Sequence, residues 1–152
     1  MSHPKVSFEF FPPRNLEASF RLWDCVNALS PLAPDFISVT YGAGGTTRQL
    51  THEAVTTLHR ATGLPVAAHL TCVNASRAEI DEVVRGYASV GVRHIVALRG
   101  DPPTGVGTRY VPHPEGYAQA ADLVAGIKRI GGFEVSVGGY PEKHPESQSF
   151  EA

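Results

Sequence analysis

The apolar and polar positions of this chain change period repeatedly. Five runs rich in β-branched and aromatic residues recur: KVSFEFF (5–11), DFISVTY (35–41), PVAAHLT (65–71), RHIVALR (93–99) and FEVSVGG (133–139). That composition predicts strands. Between the runs the apolar period shifts toward that of a helix. Leu16, Phe20 and Trp23 share one helical face, and Leu22, Val26 and Leu29 share another. Leu50, Ala54, Leu58 and Ala61 repeat the pattern, as do Ile80, Val83, Val84, Tyr87 and Ala88. Ser76 with Glu79, and Thr46 with Gln49, read as capping boxes. Gly63, Gly91 and Gly131 stand where helices should end.

Strand then helix, repeated about every 30 residues, predicts β/α units on a parallel sheet. The near-continuous apolar strands fit a sheet buried on both faces. Two architectures satisfy this pattern, a closed (β/α)8 barrel and a doubly wound open sheet. The first strand–helix turn, FPPRNLE, has no G-x-G-x-x-G, which argues against a dinucleotide site of the Rossmann type. Five strands are too few to close a barrel, which needs eight.

Composition adds exclusions. A chain of 152 residues can build one domain with a sizeable core. A net charge of −2 with no basic run argues against nucleic acid or an anionic membrane as partner. No apolar run approaches the ~18 residues of a membrane span, and MSHPKVSFEFF lacks a signal-peptide pattern. Cys25 and Cys72 lack metal-ligand spacing and are expected to be reduced, buried and cytoplasmic.

Candidate chemistry collects after the strands. The first is followed by FFPPR, with Glu9 inside the run; the second ends in Thr40-Tyr41-Gly42-Ala43-Gly44-Gly45; the third in His69-Leu70-Thr71. The fourth leads into Arg99-Gly100-Asp101, and the fifth into Tyr140-Pro141-Glu142-Lys143-His144. In both architectures that carboxyl edge is where ligands bind. Each residue also has a plainer reading. Glu9 could pair with an inward Arg or Lys, His69 could be a satisfied core histidine, and Arg99 could pair with Asp101. GAGGTT could be only a turn, and Tyr140 could merely end a strand. Their common placement at one edge favours a site.

SFEFFPPR, SVTYGAGGTTR, AHLTC, RHIVALRGDPP and GGYPEKHPES, in this order, resemble methylenetetrahydrofolate reductases over essentially the whole chain. The resemblance implies an α/β (β/α)8 TIM barrel of which the first five strands and four helices are present, residues 1–152 being one truncated N-terminal part. It implies a cytoplasmic oxidoreductase that reduces 5,10-methylenetetrahydrofolate to 5-methyltetrahydrofolate, using FAD and NADH or NADPH, homo-oligomeric when complete. The fragment alone is expected to be inactive. The alternative is a non-catalytic flavin- or folate-binding half-barrel that works through a partner. Residue by residue, Glu9 matches the family's general acid. Thr40, Tyr41, Ala43, His69, Arg99, Gly100, Asp101, Tyr117, Ala118, Tyr140 and His144 match flavin contacts, Tyr117 and Ala118 at the opening of the fourth helix. Glu9, Thr40 and Asp101 also match folate contacts.

The resemblance gives Glu9 a reason to sit among Phe8, Phe10 and Phe11. A free glutamic acid, with a pKa of ~4.3, is ionised at neutral pH. Enclosure by apolar side chains would raise that value and keep a proton ready for transfer. Asp101, in a polar loop, is expected to stay charged.

Overall fold

A computed structural model describes residues 4–42, 47–102, 109–139, 141–142 and 149. The elements alternate: β1 (Ser7–Phe10), α1 (Leu16–Leu29), β2 (Phe36–Val39), α2 (Arg48–Thr62), β3 (Val66–Thr71), α3 (Arg77–Ser89), β4 (His94–Leu98), α4 (Ala120–Ile130) and β5 (Glu134–Val137). A short 3-10 turn, Ser30–Leu32, follows α1. All five strands are parallel and pair in chain order, β1-β2-β3-β4-β5.

That order decides between the two architectures. A doubly wound sheet reverses direction once, so that its helices cover both faces. Here the order never reverses, and right-handed crossovers then put every helix on one face. The arrangement is that of the first five strands and four helices of a (β/α)8 barrel.

Strand alternation gives the two faces different chemistry. The register aligns Phe10 with Val39, Val39 with Ala68, and Ala68 with Ile95. These residues form one buried core with Val26, Val55, Leu58, Ile80, Val84, Leu123 and Ile127 of the helices. The other face carries Glu9, Ser38, Ala67, His69, Thr71, His94 and Ser136, and is largely polar. Only β3, in the middle of the sheet, is buried along its whole length. The edge strands β1 and β5 are mostly exposed or half-buried, contrary to the expectation of burial on both faces throughout.

Local signals explain the helix boundaries. Asn15 caps α1 by accepting from Ala18 N at 2.8 Å. Ser76 and Glu79 form the complete capping box expected for α3. The second expected box is not seen: α2 opens at Thr47, whose side chain makes no capping bond, and Thr46 lies outside the described residues. On α1 the buried stripe is Leu22, Trp23, Val26 and Leu29, whereas Leu16 and Phe20 are exposed. The cysteines also divide. Both are free, but Cys25 is exposed and only Cys72 is buried.

Candidate active site at the carboxyl edge of the sheet

Glu9 lies on the polar face because Phe8 and Phe10, one residue either side, turn toward the helices. The flanking phenylalanines therefore do not enclose the carboxylate, whose side chain is 57% exposed. This corrects the expectation of a carboxylate desolvated by its own strand. Its partner is also not an inward Arg or Lys. Glu9 Oε2 lies 3.2 Å from His69 Nε2, two strands away on the same face. Burial pushes the His69 imidazole below the ordinary histidine range, and the Glu9 carboxylate opposes that shift in part. A neutral imidazole in its Nε2–H tautomer donates to a carboxylate at this distance.

Thr40 continues β2 on this face and is held by its backbone. Its amide donates to Phe10 O at 2.9 Å, and its carbonyl accepts from Thr51 Oγ1 at 3.0 Å. Thr47 braces the same turn by accepting from Gly42 N at 2.5 Å. Tyr41 alternates to the other face. It is buried in the core, and its hydroxyl accepts from Arg48 Nε at 2.9 Å. Any contact from Tyr41 to a ligand on the polar face would have to come from its backbone.

Arg99, Gly100 and Asp101 follow β4. With Leu98, Val137 and Gly138 they line an open cleft of about 400 Å³ between the ends of β4 and β5 and Ala120 at the start of α4. Gly100 has φ +84°, and a Cβ there would lie 2.7 Å from Val73 Cγ1 and 2.9 Å from Thr71 Cβ. Only glycine lets this backbone close over the end of β3. Thr71 is buried beneath it, and its Oγ1 has no hydrogen-bond partner among the described residues.

Two further expected flavin contacts, Tyr117 and Ala118, lie just before α4. Tyr117 is 2% exposed and packs between α3 and α4. Its hydroxyl donates to Asp81 Oδ1 at 2.7 Å, and the Arg77 guanidinium lies 5.3 Å from its ring centroid. Both Tyr117 and Ala118 precede α4, which begins at Ala120 rather than at Tyr117. The Tyr117 side chain is committed to joining helices. Ala43, Tyr140 and His144 lie outside the described residues.

Two residues on the site side were given no role by the sequence reading. Thr71, named at the end of β3, had a signal: two places after His69 in a strand, it must share its face. Tyr110 had none. Its ring lies under the Arg99 guanidinium at 4.5 Å, a contact no local pattern encodes. A more voluminous cleft, about 570 Å³, opens at the amino edge between Lys5, Asp35, His94 and Glu134. Two of its polar pairs are Asp35, which accepts from Val6 N at 2.9 Å, and His94 Nε2, which lies 2.8 Å from Ser136 Oγ. In β/α architectures that edge is the structural one.

The family profile described as methylenetetrahydrofolate reductase matches residues 1–152. The chain belongs to this family. It is similar to the 5,10-methylenetetrahydrofolate reductase of Salmonella typhimurium, with 49% identity over 147 residues, covering 97% of this chain and 47% of the relative. The Escherichia coli (strain K12) protein of the same name is 48% identical over the same length, with the same coverage. Methylenetetrahydrofolate reductase (NADH) 1 of Arabidopsis thaliana is 38% identical over 142 residues, 92% of this chain and 24% of the relative. The chain thus spans about half the length of the bacterial relatives. As a member of a TIM-barrel family, it shows five of the eight expected strands. Among its described residues, no helix is long and apolar enough to cross a membrane, and no cluster of His, Cys, Asp or Glu could hold a metal.

Proposed function

We propose that this chain forms the first part of a cytoplasmic, flavin-dependent reductase that converts 5,10-methylenetetrahydrofolate to 5-methyltetrahydrofolate. The observation that carries the reading is the Glu9–His69 contact at 3.2 Å on the polar face of the sheet. Reduction of this substrate needs a proton delivered to a ring nitrogen, which opens the five-membered ring to an iminium. Glu9 is the donor, and His69, 3.2 Å away on the same face, orients its carboxyl group.

The carboxyl-edge cleft has the mixed lining that a flavin edge requires. Leu98 and Val137 offer apolar contact, and Arg99, the Gly100 backbone and Asp101 offer polar contact. Thr71 supplies a buried hydroxyl still lacking a partner. Bound FAD would supply the hydride, after reduction by NADH or NADPH. Arg99 and Gly100 bind and orient it, Asp101 sets a negative charge beside it, and Thr40 and Asp101 hold the pterin edge. Residues 1–152 are then the N-terminal part of a single barrel domain. Phe11, Leu16 and Phe20 beside β1, and Val137 on β5, are exposed large apolar residues at the two sheet edges, which supports continuation on both sides.

In the complete protein, Glu9→Gln should abolish folate reduction and leave flavin reduction by NADH or NADPH nearly intact, measured by stopped flow for each half-reaction. Equal loss in both would make Glu9 structural.

A further inference from the structure

Arg99 is the most adaptable side chain assigned to the flavin edge, so something must fix its direction. Its Nε donates to Gly100 O at 3.3 Å, a weak local contact. A second restraint is Tyr110. The guanidinium carbon lies 4.5 Å from the centre of the Tyr110 ring, well within cation–π range. Guanidinium is planar and weakly hydrated, so an aromatic face selects its orientation as well as its position.

The ring is itself anchored. The Tyr110 hydroxyl lies 4.0 Å from Cys72 Sγ, which in turn lies 3.5 Å from Arg99 O. Cys72 is fully buried, and its amide donates to Leu98 O at 3.2 Å. The chain therefore closes a loop of contacts: β3 through Cys72, then Tyr110, then Arg99, then back to the end of β4. Tyr110 is half-buried, and burial with the neighbouring Cys72 pushes its hydroxyl pKa up to about 12, so it remains a neutral phenol.

We propose that Tyr110 is a positioning residue, whose ring holds the Arg99 guanidinium in the orientation with which it meets the flavin. This rests on the flavin reading of the carboxyl-edge cleft. The ligand addressed through Arg99 is anionic or electron-rich at that edge, as a reduced flavin ring is.

The test uses the complete protein and FAD binding followed by flavin fluorescence and the visible spectrum. Tyr110→Phe keeps the ring and should bind FAD within about twofold of wild type. Tyr110→Leu keeps apolar volume against Cys72 but has no π face, and should weaken binding about tenfold, the scale of a partly desolvated cation–π contact. In an Arg99→Ala background, Tyr110→Leu should have no further effect, because the two residues act as one unit. A Leu variant that binds like wild type would overturn the inference, as would an equal loss with and without Arg99. Wild-type protein that binds no FAD would overturn the flavin reading and this inference together. Tyr110→Phe as weak as Tyr110→Leu would show that the hydroxyl, not the ring, matters.

Discussion

Gly126 lies inside α4, where replacement by alanine should help. Alanine is the better helix former by about 1 kcal/mol. The structure predicts the opposite sign. A Cβ on Gly126 would overlap the Tyr117 hydroxyl and Cζ and would lie 2.7 Å from Cε1. Tyr117 is 2% exposed, so its ring cannot swing away without leaving the interface between α3 and α4. Overpacking of this kind costs about 1–3 kcal/mol. Displacing the ring also breaks the 2.7 Å bond to Asp81, and hydrogen bonds to a charged group contribute about 1.5–3 kcal/mol. After subtracting the propensity gain, Gly126→Ala should destabilise by about 1.5–5 kcal/mol. In a chain of this size that is a fall in Tm of roughly 3–20 °C, readable by circular dichroism or calorimetry. In a Tyr117→Val background the same substitution should cost nothing, or should stabilise. An unchanged or raised Tm for Gly126→Ala alone would refute the steric argument and leave helix propensity as the governing term.

Three further outcomes are expected. Because burial lowers the His69 pKa, the unfolded chain binds more protons than the folded one once pH drops through about 6.5, so stability should fall with pH below that point. His69→Gln should flatten this slope in urea titrations run from pH 7.5 to 5, and an identical slope would assign it to another group. Cys25, exposed, should react rapidly with a thiol reagent, whereas buried Cys72, whose thiol pKa is raised, should react only on unfolding; equal rates would contradict the packing around Cys72. Ser76→Ala should cost about 1 kcal/mol by removing the α3 cap, and a neutral result in a denaturant melt would mean that the capping box is not formed in solution.

The architecture was legible because the apolar period changes where the chain changes direction. VAAHLT and HIVAL are strands, and Ser76-x-x-Glu79 starts a helix, as read. The helix stripes were harder. Leu16 and Phe20 have the correct spacing, yet they stay exposed because the core lies under Val26 and Leu29. Among site residues, Glu9 was recognisable but its surroundings were not. Run composition made it look enclosed, whereas alternation sends its apolar neighbours to the other face. The resemblance placed Tyr117 at the opening of the fourth helix, but its side-chain packing could not be read from the sequence. Its burial depends on Asp81, Arg77 and Gly126, contributed by two separate helices. The stack of Tyr110 on Arg99 joins a strand end to a connecting segment and leaves no periodic trace.

The strictly sequential strand order also bears on how the chain comes to be folded. Ser7 pairs with Phe36, Ile37 with Val66, Ala67 with His94, and His94 with Glu134, so each strand needs only the one before it. Among the described strands no pairing waits for a distant segment, and each loop closure spans one helix, which keeps its entropy cost modest. As the chain leaves the ribosome, every completed β/α unit finds its template already waiting, and the polar rim grows one strand end at a time. Glu9 and His69, two strands apart, would meet as soon as β3 docks, before β4 has been added.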